Sequence, residues 1–412
     1  MRKKPLIIAM ALAGAATTAF AAPPIEFSGY MRAGVGINAA GGNQVCFGLA
    51  GADTKYRLGN ECDYVVEPTF DAKLAEYEGS DWHVRVMPSV YKAWDSGQGG
   101  TLGNGPDTLT TRFGQIYAYG DKISQLANGK VWAGRRFYNR LQTGINDQFL
   151  ENNDGNGAGL EDMDLGVGKL SIAFMMDPNY GTGVTTVTPG ARAVNNNRFA
   201  LPIRMTGIKD FPNGELAVYV TPSKQLKSDS QSQTPPTEPA AEASGLAVGV
   251  YQTMNGLILG GNTLIGFKHD KEGESKNTRV VFQQSANFGA TAVDFITEYR
   301  VAKRAAAAGN KWFTVGARAD TWIGGPFRFL AEAGHDQVKP EDGSAKRNMT
   351  KLTAAVAASA GKEAGSRPTV RLFVTHAVWN EAARLALGGN TQEVFGDKKA
   401  GTSIGVQAEA WW

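Results

Sequence analysis

From Glu26 onward the chain repeats one pattern: a short segment of alternating apolar and polar residues, a polar or Gly-rich break, then another such segment. Alternation with period two puts apolar side chains on one face of a β-strand and polar ones on the other. In Glu26 to Val35, one face carries Phe27, Met31, Ala33 and Val35; the other carries Glu26, Ser28, Tyr30 and Arg32. In Val65 to Glu76, Val66, Phe70, Ala72 and Leu74 oppose Glu67, Thr69, Asp71 and Lys73. Trp82, Val84, Val86 and Val90 oppose His83, Arg85 and Ser89. Near the end, Val370, Leu372, Val374 and Val378 oppose Arg371, Thr375 and Ala377, and Ile404, Val406, Ala408, Ala410 and Trp412 share one face of the last segment. Helical heptads and βαβ spacing are absent. One all-β body is therefore expected, although the length could hold two or three domains.

A soluble sandwich also alternates, so the polar face has to decide. It carries too many Arg, Glu, Asp and Lys for a sandwich core. The segments suffice for about 16–18 strands, enough for a wide barrel with a wet lumen. The last residue is aromatic and apolar-facing, and the 51 glycines fit tight turns and crowded wall positions. Beyond the N-terminus there is no run of roughly 20 apolar residues, so a membrane-resident form must be a closed barrel; only helices and closed barrels satisfy backbone polar groups in lipid.

The N-terminus reads as a secretory signal. Arg2, Lys3 and Lys4 precede an apolar stretch from Leu6 to Ala15, and Ala19-Phe20-Ala21 is a small-x-small cleavage site. Residues 1–21 are expected to be removed, leaving 22–412 as the barrel. The formal charge of +3 belongs to that segment: without it, 42 basic residues fall to 39 against 39 acidic ones. A neutral chain gives no support to nucleic-acid binding. Cys46 and Cys62 are the two cysteines, and in an exported chain they are expected to form one local disulfide. No His or further Cys nearby argues for a metal pair. The sequence between them, ending in YRLGNEC, is polar and Gly-rich, and reads as an outward-facing loop. Pro222 to Ser244, including KSDSQSQTPPTEPAAEAS, reads as a low-complexity, solvent-exposed loop.

Catalysis finds little support. The four histidines, His83, His269, His335 and His376, fit no HExxH pattern and read as lumen or loop polar residues, and no GxSxG elbow occurs. No cofactor is implied. The notable chemistry is Arg, acid and aromatic together. Sugars have hydroxyl rims and apolar faces, so a selective pore needs charged donors and acceptors for one and rings for the other. The segment FYNR, Phe137 to Arg140, followed by QTGINDQF and NNDGNGAGLE, reads as a strand running into a polar loop that could fold inward as a constriction.

Several segments resemble the maltoporin family, the maltodextrin channels of Gram-negative outer membranes. They are GYMRAGVG (Gly29 to Gly36), KYRLGNEC (Lys55 to Cys62), VWAGRRFYNR (Val131 to Arg140), GNGAGLEDMDLGVGKLS (Gly155 to Ser171), KWFTVGAR (Lys311 to Arg318), SRPTVRLFVTHAVWNE (Ser366 to Glu381) and the terminal AEAWW. They follow the family's order, with the weakest match from about Asn195 to Gly309. The resemblance implies an antiparallel transmembrane barrel of about 18 strands, an inward-folded constriction loop, a homotrimer and a maltose or maltodextrin ligand.

It also implies roles for particular residues. Arg32, Arg57, Glu67, Arg140 and Asp147 fall on the family's polar track, as does Arg112 if one inserted residue is allowed before Trp132. Gln142 stands where the family has Asp, and Phe149 replaces the tyrosine that narrows the constriction. Of the aromatic slide, Tyr30 and Trp411 match, and Trp94 matches the tryptophan that a neighbouring subunit contributes. Val65, Leu264 and Gly365 stand at aromatic positions, and Tyr64, beside Val65, should face the other side of its strand. The expected function is passive, sugar-selective diffusion. A porin for sucrose or another oligosaccharide, a general pore, and a structural or adhesive barrel are the alternatives.

Overall fold

The computed structural model describes residues 24–93, 110–176, 198–210, 213–225, 242–304 and 308–412. The strands are β1 (Ile25–Asn38), β2 (Asp63–Tyr77), β3 (Ser80–Ala93), β4 (Thr110–Ile123), β5 (Gly129–Arg136), β6 (Leu141–Thr143), β7 (Gln148–Glu151), β8 (Gly155–Asp164), β9 (Lys169–Met176), β10 (Arg198–Ala200) and β11 (Ile203–Ile208). They continue as β12 (Gly214–Gln225), β13 (Ala243–Asn255), β14 (Asn262–Glu272), β15 (Ser275–Phe288), β16 (Thr291–Lys303), β17 (Asn310–Gly324), β18 (Phe327–Pro340), β19 (Arg347–Ser359), β20 (Thr369–Trp379) and β21 (Ala400–Trp411). Two short helices, α1 (Glu381–Arg384) and α2 (Gly389–Phe395), lie between β20 and β21.

Each wall strand pairs antiparallel with its neighbour, and β1 pairs with β21, which closes the sheet. β10 and β11 lie end to end between β9 and β12 and count as one broken strand, so the barrel has 18 strands, as expected. β6 and β7 form a separate small hairpin. The long connections 39–62, 137–154 and 380–399 lie at one end, with the two-residue turn 273–274 among them; tight turns such as 78–79, 289–290 and 325–326, and the longer 360–368, lie at the other. β1 begins and β21 ends at the tight-turn end.

Burial is inverted relative to a soluble protein. Phe70, Phe267, Val280, Val370 and Leu372 are exposed on the outer face, while Arg32, Asp71, Arg279, Glu298, Glu332 and Lys351 are buried on the inner face. In β20 the alternation runs without a break, even positions out and odd positions in. The outer face is that of a barrel solvated by lipid. Among the described residues no helix is long and apolar enough to cross a membrane.

The interior is partly filled. The 39–62 loop does not face outward, as its polar composition had implied. It folds against the inner wall and buries Val45, Phe47, Leu49, Tyr56 and Leu58. Its apolar residues drive this, and the wall provides a seat. Gly316 and Gly334 stand directly opposite each other on β17 and β18. The Tyr56 ring lies over both, where a Cβ on either would collide with it. The Tyr56 hydroxyl lies 2.7 Å from that of Thr314. Asp53 accepts from Arg279 at 2.5 Å and from Arg300, so the loop is also held by charge. Phe47 packs on Trp379 and Phe395, joining the loop to α2.

Cys46 and Cys62 are bonded, with Cα atoms 5.8 Å apart, and Tyr64 packs against the bridge. A Cys46→Ser, Cys62→Ser double variant is expected to lose about 2–4 kcal/mol of stability while keeping the barrel, because Asp53, Tyr56 and Leu58 still anchor the loop. Heat-dependent gel mobility reads this out; an unshifted transition would refute it.

Two further expectations are corrected. FYNR is not strand: β5 ends at Arg136, and Tyr138 turns inward onto Trp132, with ring centroids 5.2 Å apart. The Gly-rich stretch that begins at Gly155 is strand β8 rather than loop. Its glycines let the backbone lie close against β9, where a Cβ on Gly157 would meet the Phe174 carbonyl. Pro222 to Gln225 belong to β12 and Ala243 to Ser244 to β13; 226–241 lie outside the described residues, as do Trp94 and the signal segment.

Candidate functional site

The register of the first strands builds an inner-wall row. Tyr30 stands opposite Trp411 on β21 and Glu67 on β2, and Ser89 on β3 stands opposite Arg112 on β4. The Ser89 hydroxyl donates to Glu67 at 2.9 Å and links the two halves of the row. Arg112 is exposed to the lumen. Tyr91, two residues beyond Ser89, lies opposite Val65 and is 38% exposed. It puts a ring beside the strand position where Val65 carries none.

Above this row the charges converge. Arg32 donates from Nε and Nη2 to the two oxygens of Asp63, both at 2.8 Å, and approaches Glu61 at 3.2 Å. Arg57 enters from the 39–62 loop. Its guanidinium lies 2.6 Å from Glu61, 3.6 Å from Asp147 and 3.6 Å from Glu409. The Tyr30 hydroxyl accepts from Arg32 at 3.1 Å and from Arg57 at 3.4 Å, and donates to Glu409 at 2.9 Å. Burial works to raise the pKa of Glu61, but Arg57, Arg32 and Lys55 outweigh it and hold the carboxyl below its usual range. Glu61 therefore keeps its charge.

Glu409 also accepts from Arg367 at 2.9 Å and Arg371 at 2.5 Å. The Arg367 guanidinium lies over the Trp411 ring, 3.9 Å from its centroid. One face of that ring is thus already occupied by a cation. Gly365 lies in the same turn.

The segment 137–154 supplies the opposite side. Ile145 and Leu150 pack with Tyr56, Tyr219, Tyr251, Val281 and Ile296, which places the segment against strands far around the wall from β5 and β8, the two that it joins. Glu151 bonds Lys268 at 2.9 Å and Tyr251 at 2.8 Å, and Arg318 donates to the Ile145 carbonyl at 3.3 Å. With one hairpin face packed, the other presents Gln142, Asp147 and Phe149. Gln142 stands opposite Phe149 and donates to Asp147. Arg140 binds Asp154 at 2.8 Å, with its guanidinium 3.2 Å from the Phe137 centroid and 5.1 Å from that of Phe149.

A cavity of about 480 Å³ runs from Arg57, Glu61 and Ile145 down to the tight-turn end. Arg318, Asp320, Arg328, Arg367, Arg371, Glu409 and Trp411 line it. Its size is within the ordinary range of small-molecule sites, about 300–1,000 Å³. Nearly every charge has an opposite partner, so the lining offers donors and acceptors to a neutral polyhydroxylated solute.

Of the residues expected from sequence, Tyr30, Arg32, Arg57, Asp147 and Gln142 meet in one connected cluster. Trp411 joins it through Arg367 and Glu409. Glu67 and Arg112 form the adjoining row, and Arg140 stacks with Phe149 on the hairpin. Glu61, Asp63, Arg367 and Glu409 were missed. Glu409 was within reach: it shares strand parity with Trp411, two residues on.

Among the described residues there is no cluster of His, Cys, Asp and Glu that could hold a metal. The lumen-facing reading of the histidines holds for His83, which bonds Asp71 at 2.8 Å. His269, His335 and His376 lie on the outer face instead, each Nδ1 2.8 Å from a Thr hydroxyl directly across the sheet. The threonine partner makes the lipid-side position tolerable.

An 18-stranded barrel with an apolar outer face, long loops at one end and a charged lumen defines a porin of the outer-membrane type. The LamB porin family model matches residues 25–412, and the chain belongs to the LamB porin family. Such porins are typically channels without enzymatic activity. Three solved barrels share the fold. OccAB1 of Acinetobacter baumannii has a TM-score of 0.55 at 7% identity, covering 94% of this chain and 96% of that one. OccAB2 of the same organism scores 0.52 at 10% identity, covering 94% and 98%. OccD3 (OpdP) of Pseudomonas aeruginosa scores 0.50 at 10% identity, covering 94% and 91%.

Proposed function

We propose that this porin is a passive, saccharide-selective channel of the bacterial outer membrane for maltose and maltodextrins, exported by loss of residues 1–21 and assembled as a homotrimer. The observation that carries the reading is one cavity shared by Trp411, Arg57, Glu61 and Glu409, with Tyr30, Arg32, Asp147 and Gln142 bonded into the same cluster. A pyranose face has Trp411, Tyr30 and Tyr91 to slide along, and its hydroxyls have Arg32, Arg57, Glu67, Arg112, Arg140 and Asp147 to bond. In this reading Gln142 and Phe149 form the constriction, and Trp94 of a neighbouring subunit contributes to the slide. Flux follows the concentration gradient, with no cofactor.

Bilayer conductance with added sugars tests this. Maltohexaose is expected to block ion current saturably. Trp411→Ala should weaken that block about three- to tenfold, the worth of one lost stacking surface. Absence of block by any malto-oligosaccharide would sink the maltodextrin reading. The absence of rings at Val65, Leu264 and Gly365 favours a second reading, a channel for a shorter oligosaccharide such as sucrose. Tighter block by sucrose than by maltohexaose would establish it.

A further inference from the structure

The outer face of β14 to β18 carries a row of lysines at the long-loop rim. Lys271 stands directly opposite Lys276, and Lys276 directly opposite Lys303. Lys311 stands opposite Lys339 and one diagonal step from Lys303, since its own partner on β16 is Val301. All five side chains are exposed, and their parity is that of the outward Phe267, Val280, Tyr299 and Phe313. Among the described residues no ion pair joins any of the five to an acid. The nearby Glu272 points inward and is held by Arg198 at 2.7 Å.

Like charges directly opposite on adjacent strands repel, and this row stacks three such pairs; Glu274 and Glu341 lie in the adjoining turns, and neither is ion-paired to the row. The rim's position supplies the missing anion. Long loops of such barrels face outward from the cell, so the row lies level with the headgroups of the outer leaflet. Four residues below it, roughly 13 Å along the strand, Phe267 and Val280 lie opposite each other and are exposed to the acyl chains. A ligand suited to this face has phosphate above and hydrocarbon below. A second copy placed face to face across a two-fold axis does not suit it, because its lysines would meet these.

We infer that Lys271, Lys276, Lys303, Lys311 and Lys339 form a binding surface for a phosphorylated lipid of the outer leaflet. The surface is on the outside of the barrel and independent of the sugar path, so either reading can fail alone.

The test is native mass spectrometry of the full-length folded protein in detergent, titrated with bisphosphorylated lipid A, its dephosphorylated form and inorganic phosphate. Wild type is expected to retain the phosphorylated lipid. A five-site variant, Lys271→Gln, Lys276→Gln, Lys303→Gln, Lys311→Gln and Lys339→Gln, should bind it at least about tenfold more weakly, with sugar block unchanged. The five-site Lys→Arg variant should bind as wild type does and guards against a folding defect. Equal binding by the Gln variant, or equal binding of the dephosphorylated lipid, overturns the proposal. So does inorganic phosphate that binds at the same lysines and displaces the lipid at comparable affinity, which would mark a soluble-anion site. A Gln variant with altered subunit number but undiminished lipid binding would reassign the face to subunit contact and overturn it as well.

Discussion

Glu332→Ala is expected to destabilise the barrel by about 3–5 kcal/mol, the usual cost of removing one partner from a buried ion pair. Glu332 faces inward from β18 and is almost fully buried. One oxygen accepts from Lys351 at 2.8 Å and from the Leu58 backbone N–H at 3.0 Å; the other accepts from Arg318 at 2.5 Å. Its removal leaves Lys351 and Arg318 facing each other without an anion and frees the 39–62 loop where it meets the wall. Glu332→Gln separates the two effects: the amide oxygen still receives the Leu58 N–H, while the charge is gone. The Ala variant should therefore unfold at lower temperature and expose 39–62 to protease, and the Gln variant should mainly lower the unfolding temperature. Unchanged thermal transitions in both would show that the cluster contributes nothing to stability.

Glu409→Ala is expected to change what the channel selects. Glu409 is the single acid that Tyr30, Arg57, Arg367 and Arg371 share. The cavity holds Arg57, Arg318, Arg328, Arg367 and Arg371 against Glu61, Asp294, Asp320 and Glu409. Losing Glu409 turns a near balance into a basic lining, and buried charges are poorly screened by salt. In a salt gradient the reversal potential should move towards anion selectivity. Sugar block should weaken about tenfold or more, because hydrogen bonds to a charged group are worth about 1.5–3 kcal/mol each and Arg57 and Arg367 lose their alignment together. An unshifted reversal potential would mean that Glu409 is screened from the conducting path.

The fold was largely legible because alternation is a local property. Period two assigned Phe27, Val66, Phe70 and Leu372 to the outside and Arg32, Asp71 and Arg371 to the inside, and every one of these faces as the pattern required. The loops were harder. YRLGNEC looks polar, yet Tyr56 is buried because Gly316 and Gly334 open a seat some 260 residues later in the chain, and Leu58 packs on Leu330, Ala355 and Phe373. FYNR looks like strand, but Tyr138 finds a better place against Trp132 than on the wall. Three histidines with the polarity of a lumen residue lie on the lipid side, because a threonine on the next strand satisfies each. Such compensation depends on a partner that no local window contains.

The sequence by itself determined that this chain makes strands, which face of the cleanly alternating ones meets lipid, and that its ordered motifs are those of the LamB porin family. These follow from spacing within a strand and from short motifs in order. Only the tertiary structure decided which charges meet. Tyr30 and Glu409 are 379 residues apart and bond because the first and last strands close the barrel in one register. Arg57 reaches Asp147 because two loops fold into the same interior. The lysine row, too, exists only as a register of five strands. A charge on one strand is visible in sequence; its neighbour around the wall is set by pairing and closure.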